Sequence, residues 1–139
     1  MITINYWAVL VCAVLSMVVG ALWYGPLFGK KWMEIVGANN ADIEARKAMQ
    51  KSAGKLYVVQ FLITLFQVYV LAYYIAGWKG ASGLNNSLWI WAAFVIPTIA
   101  GASMWNNNSA KISWARFLIQ GGCQLVLFII FGIVLGMWR

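Results

Sequence analysis

The sequence predicts an all-α fold: a polytopic membrane protein with four transmembrane helices and a short cytoplasmic surface helix between spans 1 and 2. Hydrophobic residues make up 63% of the chain and charged residues only 9%, whereas a soluble domain has roughly 25% charged residues. The apolar residues fall into four runs, each close to the about 20 residues that a helix needs to cross a bilayer. In a chain of 139 residues these spans form a single domain, 1–139, with no room for a separate soluble domain.

The first span is expected at about residues 4–24. Four small residues, Ala8, Cys12, Ser16 and Gly20, recur there at a spacing of four, which places them on one face of the helix. Small residues let two helices approach closely in a bilayer, where lipid gives no hydrophobic driving force between helices. The stripe therefore predicts helix packing, either within the chain or between two copies of it.

The loop of residues 25–54 is strongly basic and also carries all three acidic residues of the chain. The positive-inside rule therefore places it in the cytoplasm. Within the loop, Asn39 or Asn40 is expected to cap a short helix that ends near Ser52. Few large apolar residues occur in this segment, so we expect the helix to rest on the membrane surface.

The second span is expected at about residues 56–78. It is uncharged, and Gln60, Thr64 and Gln67 recur at positions i, i+4 and i+7, which is the spacing of one helical face. Amides in hydrocarbon must find hydrogen-bond partners. We therefore expect this face to point inward, with its partners on other spans.

The third span is expected at about residues 87–105. Pro97 removes a backbone donor and should kink the helix, while Gly101, four residues later, permits a close neighbour. Both a static kink and a gating or ligand-facing break remain open.

The fourth span is expected at about residues 114–138. Gln120 and Gln124 lie one helical turn apart, and Gly132 and Gly136 form a small-xxx-small pair. The helix is therefore predicted to have both a polar face and a close-packing face.

Basic residues are distributed unevenly over the predicted loops. Eight of the ten Lys and Arg residues fall in the two predicted cytoplasmic stretches, and only Lys79 and Arg139 fall on the other side. This asymmetry predicts a single orientation with the N-terminus and the C-terminus outside. The net charge of +7 also favours contact with anionic lipid headgroups. Nucleic acid is not an expected partner, because no water-exposed basic surface with stacking groups is predicted.

An aromatic motif follows the first span and resembles a known family. The motif consists of the run Gly20-Ala21-Leu22-Trp23-Tyr24-Gly25-Pro26-Leu27-Phe28-Gly29 with Trp32, and Asn5 precedes it near the N-terminus. With these residues the chain resembles a widespread family of small bacterial membrane proteins called domain of unknown function 1761.

The resemblance extends over the whole chain, although Gly25 stands where a serine is expected. It implies a four-span helical fold in the bacterial cytoplasmic (inner) membrane, and it brings no established activity. The motif residues form either an interfacial anchor, which is our prediction, or a binding site; they are Trp23, Tyr24, Pro26, Phe28 and Trp32.

Composition argues against an enzyme. The chain has no histidine, and its three carboxylates lie in one exposed loop, so no catalytic triad, dyad or metal cluster can be assembled from the usual groups. Cys12 and Cys123 lie in apolar runs and are interpreted as small packing residues. No cofactor and no metal are expected.

Two classes of function remain. In the first, the protein has a structural, accessory or scaffolding role and packs as a homo-oligomer or with a larger membrane complex. In the alternative, it binds or transports a small molecule or lipid through a polar cavity lined by the glutamines of spans 2 and 4. The candidate cavity residues are Gln60, Thr64, Gln67, Gln120 and Gln124.

Overall fold

The structure is a computed structural model that describes residues 1–139, and it is entirely helical, without strands. Four helical segments are long and apolar enough to cross a membrane. The predicted fold class is therefore confirmed, and the protein is a multi-pass membrane protein. The four spans are Tyr6–Leu27, Ile43–Gly77, Gly83–Met104 and Ala110–Met137.

Six α-helices and three irregular helical turns make up the chain. The α-helices are α1 (Tyr6–Leu22), α2 (Gly29–Ile35), α3 (Ile43–Gly77), α4 (Gly83–Ile90), α5 (Ile96–Met104) and α6 (Ala110–Met137). Two π-helical turns, Trp23–Leu27 and Trp91–Val95, follow α1 and α4, and a 3₁₀ turn, Ala38–Asn40, precedes α3. The first span thus consists of α1 with its π-helical turn, and the third span consists of α4, a π-helical turn and α5.

Each π-helical turn is associated with a proline. Pro26 lies inside the π-helical turn Trp23–Leu27. Pro97 lies at the beginning of α5, which follows the π-helical turn Trp91–Val95. A proline has no N–H with which to continue the ladder of α-helical hydrogen bonds, and a local π-helical turn accommodates that loss. The break expected at Pro97 therefore lies on its N-terminal side. Thr98 Oγ1 donates a hydrogen bond of 2.6 Å to the Phe94 carbonyl oxygen.

The segment before the second span differs from the prediction. Asn39 and Asn40 do not cap a separate surface helix; instead Asp42 caps α3 by accepting a hydrogen bond of 2.7 Å from the Ala45 N–H. No proline interrupts the chain after this cap, so the expected surface helix is the beginning of one continuous helix of 35 residues. At 1.5 Å per residue α3 is about 52 Å long, well beyond a hydrocarbon core of about 30 Å. The short helix between the spans is α2.

The four spans run in alternating directions. At one end, Arg139 Nη1 donates a hydrogen bond of 3.4 Å to the Ile75 carbonyl oxygen, and the side chain of Ile2 contacts Gly77. Both termini therefore meet the turn between α3 and α4. At the opposite end the Arg116 guanidinium lies 5.9 Å from the centre of the Trp32 ring.

We call this opposite end, formed by residues 23–55 and 105–116, the basic end. It holds Lys30, Lys31, Arg46, Lys47, Lys51, Lys55, Lys111 and Arg116.

Helix α6 is the central element, because it packs against α1, α3, α4 and α5. The buried core lies between α1, α3 and α6, in the half of the bundle nearer the termini. Its largest fully buried side chains are Phe128 and Phe131, whose ring centres are 5.8 Å apart. The core consists of Ala8, Val9, Cys12, Val68, Leu71, Ala72, Ile75, Cys123, Leu127, Phe128, Phe131 and Leu135.

Glycines bring α4 and α6 into backbone contact. A Cβ atom built on Gly132 would overlap the Ser87 hydroxyl and lie 2.8 Å from Leu84 Cα. A Cβ atom on Gly83 would lie 2.6 Å from Gly136 Cα. Only glycine fits at these positions without moving a helix, so the predicted Gly132 and Gly136 pair holds the third span against α6.

The small-residue stripe of the first span also lies inside the molecule. Ala8, Cys12 and Ser16 are buried, whereas a Cβ atom on Gly20 would meet no other atom within 4 Å. The stripe therefore packs within the chain over its first three positions.

Candidate functional site

A large cavity lies between α1, α3, α5 and α6, on the side of the core that faces the basic end. Its volume is about 740 Å³. Four of the five glutamines of the chain line it. The structure thus brings together all five residues of the predicted polar faces: Gln60, Thr64, Gln67, Gln120 and Gln124.

The α3 wall of the cavity follows from the spacing of its polar residues. Gln60 Nε2 donates a hydrogen bond of 3.2 Å to Thr64 Oγ1, so this bond lies within one helix. Thr64 is buried, with 4% of its surface exposed, whereas Gln67 is half-buried. Gln67 makes no hydrogen bond to another helix, and its amide is free to bind a molecule in the cavity.

The α6 wall carries Gln120 and Gln124, which lie one helical turn apart. The Oε1 atom of Gln124 is buried and has no hydrogen-bond partner. Leaving a buried acceptor unpaired costs about 1–3 kcal/mol, and a turn of the Gln124 amide towards a donor in the cavity would remove that cost. The bonds between spans that the sequence analysis expects for the glutamines are absent, because the two polar faces stand on opposite walls of an open space.

The α1 wall contains small residues and one aromatic residue. Ser16 Oγ donates a hydrogen bond of 2.6 Å to the Ala13 carbonyl oxygen, so the Ser16 hydroxyl does not donate into the cavity. Gly20 adds open space, and Tyr24 lies at the end of the wall nearest the basic end. This wall gives the cavity its width rather than its polar groups.

The predicted interfacial anchor is folded onto the bundle. The rings of Trp23 and Phe28 are 4.8 Å apart, and so are those of Tyr24 and Trp32. Pro26 is exposed. These aromatic pairs hold the first π-helical turn and α2 against one another, and they place Tyr24 at the cavity.

Two tryptophans fix the π-helical turns to α6, which the sequence analysis does not predict. Trp23 Nε1 donates a hydrogen bond of 2.9 Å to the Ile119 carbonyl oxygen, and Trp91 Nε1 donates one of 3.3 Å to the Gly121 carbonyl oxygen. Each tryptophan is the first residue of its π-helical turn. Gly122 of α6 is the sequence signal for the Trp23 contact. A Cβ atom on Gly122 would lie 3.2 Å from the Trp23 ring, so a glycine there makes room for the indole.

The outer face of the third span contributes little to the cavity or the core. Pro97 is exposed, and a Cβ atom on Gly101 would meet no other atom within 4 Å. Only 11% of the most apolar 18 residues of this span are buried, against 44% for α6. Within one copy of the chain, Pro97 and Gly101 therefore do not form the predicted helix contact.

The chemistry of the cavity is that of uncharged polar groups. None of its lining residues carries a charge, and the lining includes amides, hydroxyls and the buried free thiol of Cys123. Each glutamine amide can both donate and accept hydrogen bonds. The arrangement can bind an uncharged molecule that has carbonyl, hydroxyl or amide groups.

A second cavity of about 400 Å³ lies between α5 and the beginning of α6. Ser103, one of its lining residues, has a buried Oγ atom without a hydrogen-bond partner. None of the predicted site residues lines it.

The comparisons with known proteins give one match. The family described as "Protein of unknown function (DUF1761)" matches residues 7–136, which is nearly the whole chain and includes every residue of the cavity lining. No curated protein and no solved structure matches the chain.

Proposed function

Because the chain belongs to the DUF1761 family, whose description assigns no activity, we propose from the geometry of its glutamine cavity that it binds an uncharged small molecule within the membrane. We call the space lined by Gln60, Thr64, Gln67, Gln120 and Gln124 the glutamine cavity. The single observation that carries the proposal is the convergence of four glutamine amides and the Thr64 hydroxyl on one space of about 740 Å³, with no hydrogen bond from any glutamine to another helix.

The size and lining of the glutamine cavity support a binding site. Its volume of about 740 Å³ lies in the range of about 300–1,000 Å³ that is typical of ligand pockets. Polar side chains at the depth of the hydrocarbon core cost free energy unless they make hydrogen bonds. A bound molecule with its own polar groups satisfies them, and a purely structural role for the glutamines does not need the space.

The scaffolding hypothesis drawn from the sequence has weaker support. The hypothesis depends mainly on the stripe of small residues in the first span. However, Ala8, Cys12 and Ser16 of that stripe are buried within the chain. Gly132 and Gly136 are likewise in contact with α4. These residues are therefore accounted for without a second copy of the chain or a larger complex.

One observation favours self-association as a second function. The outer face of the third span presents the small residues Ala93, Pro97 and Gly101 at a spacing of four, with open space beside Gly101. Small residues are the usual contacts between helices in bilayers. If this face forms an oligomer, Gly101→Leu will convert the oligomer to monomers in native mass spectrometry, whereas Val18→Leu on the exposed face of α1 will not.

We further propose the bacterial cytoplasmic membrane as the location, with the basic end in the cytoplasm and both termini outside. The eight basic residues at one end support this orientation, and they favour anionic lipids as neighbours. Alkaline phosphatase fused after Arg139 should be active. Activity of a reporter that works only in the cytoplasm would contradict the orientation.

The binding proposal is tested with a pair of glutamine substitutions. Gln67→Leu and Gln124→Leu remove two cavity amides that make no hydrogen bond to another helix, and Gln50→Leu is the matched control because Gln50 is exposed and far outside the cavity. The protein is extracted directly into nanodiscs and analysed by native mass spectrometry. We expect a discrete bound molecule on the native protein and on the control.

The double variant should lose that molecule. Equal occupancy of the double variant and the native protein, or no bound molecule other than the bulk phospholipids in any of the three, would overturn the proposal.

A further inference from the structure

We infer that the ligand of the glutamine cavity is a neutral lipid, with an uncharged head that bears hydroxyl or ester groups, and that it enters from the bilayer between α3 and α5. This inference rests on the proposed binding function. It adds the direction of entry and the chemical class of the ligand.

The direction of ligand entry follows from which helices are in contact. The cavity has walls from α1, α3, α5 and α6. Helix α1 packs against α3 and α6, and α5 packs against α6, whereas α3 and α5 make no extensive contact with each other. Among the four pairs of neighbouring walls, α3 and α5 are therefore the pair without extensive packing.

The seam between α3 and α5 results from the way that spans 2 and 3 diverge. They are joined by the short turn between α3 and α4, and these two helices pack against each other near the termini. From there α4 is held on α6 by Gly83 and Gly132. Beyond the π-helical turn Trp91–Val95 the third span continues as α5. Helix α5 packs on α6 but makes no extensive contact with α3.

Residues on both sides of the seam are exposed and line the cavity. They are Tyr57 and Gln60 on α3 and Thr98 and Ala102 on α5; Ala21 and Gly25 of the first span are also exposed lining residues, at the basic end. Exposure of residues that also line an internal space is what a side opening requires.

The depth of the seam places it in the apolar part of the bilayer. Lys55 is the last charged residue of α3. At 1.5 Å per residue, Gln60 lies about 8 Å and Gln67 about 18 Å beyond it along the helix. Half of the hydrocarbon core is about 15 Å thick, so the cavity extends from the headgroup boundary to about the middle of the membrane. A molecule that enters through the seam comes from the lipid phase.

The lining then selects the chemical class. No charged residue is present to neutralise a phosphate or an ammonium group, and an uncompensated charge at this depth is costly. Glutamine amides instead match hydroxyl and ester groups, which they can contact as both donor and acceptor. An uncharged head on an apolar tail satisfies both the lining and the entrance.

The experiment compares two uncharged glycerol esters, whose polar groups are hydroxyls and esters, in phosphatidylcholine nanodiscs. Dioctanoylglycerol carries long tails, and glyceryl monoacetate is soluble in water. Ala102→Trp fills the seam with a large ring. Ala92→Trp is the matched control, because Ala92 is exposed on the same span, does not line the cavity and lies outside the proposed self-association face. Binding is measured by native mass spectrometry over a range of probe concentrations.

We expect the native protein to bind dioctanoylglycerol, Ala92→Trp to bind it equally, and Ala102→Trp to weaken the apparent affinity about tenfold or more. Ala102→Leu, a smaller change in case the tryptophan prevents folding, should give an intermediate loss. Failure of dioctanoylglycerol to bind, or equal binding by the Ala102→Trp and Ala92→Trp variants, would overturn the inference.

The failure of this inference can be distinguished from failure of the proposed function. If glyceryl monoacetate binds to the native protein and to Ala102→Trp but not to the variant with Gln67→Leu and Gln124→Leu, entry is from water. The lipid inference is then wrong while the glutamine cavity remains a binding site. If the glutamine double variant retains dioctanoylglycerol as well as the native protein does, neither proposal stands.

Discussion

Replacing Gly132 with alanine tests the helix crossing that holds the third span in place. The added methyl group would overlap the Ser87 hydroxyl, and it would lie 2.8 Å from Leu84 Cα and 2.9 Å from the Gly83 carbonyl oxygen. Two of these three neighbours are backbone atoms, which cannot move away by a change of rotamer. The third span must therefore shift away from α6 to admit the methyl group.

The size of the effect follows from these distances. Carbon atoms in contact are about 3.5–4.0 Å apart, so the helices must separate by up to about 1 Å. Overpacking of this kind costs about 1–3 kcal/mol, and the better helix propensity of alanine returns about 0.5–1 kcal/mol. We therefore expect Gly132→Ala to lower the free energy of unfolding by about 1 kcal/mol.

Gly101→Ala is the matched control. Gly101 is also a glycine in a membrane span, but a Cβ atom there meets no other atom within 4 Å. This variant should be as stable as the native protein or more stable by up to about 1 kcal/mol. Unfolding is followed by circular dichroism during titration of mixed micelles with sodium dodecyl sulfate. If the unfolding free energies of Gly132→Ala and Gly101→Ala agree within about 0.5 kcal/mol, the close crossing of α4 and α6 is refuted.

Three further predictions concern single hydrogen-bonding groups. Trp23→Phe removes the donor to the Ile119 carbonyl oxygen but keeps a ring in place, and we expect it to lower the unfolding free energy by about 0.5–1.5 kcal/mol; no change in the same titration would show that the indole bond is absent. Ser103→Ala removes a buried hydroxyl without a partner and should leave stability unchanged or increase it; a loss above about 1 kcal/mol would mean that the hydroxyl has a partner. Asp42→Ala removes the cap of α3 and should cost about 0.5–2 kcal/mol locally, seen as faster amide hydrogen exchange at Ala45; unchanged exchange there would contradict the cap.

The sequence alone was sufficient for the fold class and for the polar faces. Four apolar runs predicted four spans, since the bilayer demands uncharged helices of a set length. The spacing of Gln60, Thr64 and Gln67 predicted one face of a helix, because that spacing follows from helix geometry alone. The structure places that face at the cavity together with Gln120 and Gln124.

The beginnings of two helices were harder to predict. The third span was expected from about residue 87, but its helix begins at Gly83, and Gly83 is the residue that meets Gly136. A glycine in a polar turn gives no apolar signal, so hydropathy alone cannot include it. The continuous α3 was missed for a related reason: the change from charged to apolar residues near Lys55 marks the membrane boundary but does not interrupt the backbone.

The arrangement of the helices could not be predicted from the pattern of residues. Amides on two helices can either bond to one another or face a shared space, and the choice depends on the distance between the helices. That distance is set by contacts such as Trp23 with Ile119 and Gly83 with Gly132. The sequence marks these residues only as aromatic or small.

The unfolding free energy of the Gln67→Leu and Gln124→Leu double variant tests the central claim most directly, with Gln50→Leu as control. If the glutamines line an open cavity and do not bond across the bundle, the double variant with no added ligand will be as stable as the native protein or more stable. Hydrogen bonds between membrane helices contribute about 0.6–2 kcal/mol each. A loss of that size or more in the double variant, with none in the control, would show that the glutamines join the helices, and the glutamine cavity would then not be a binding site.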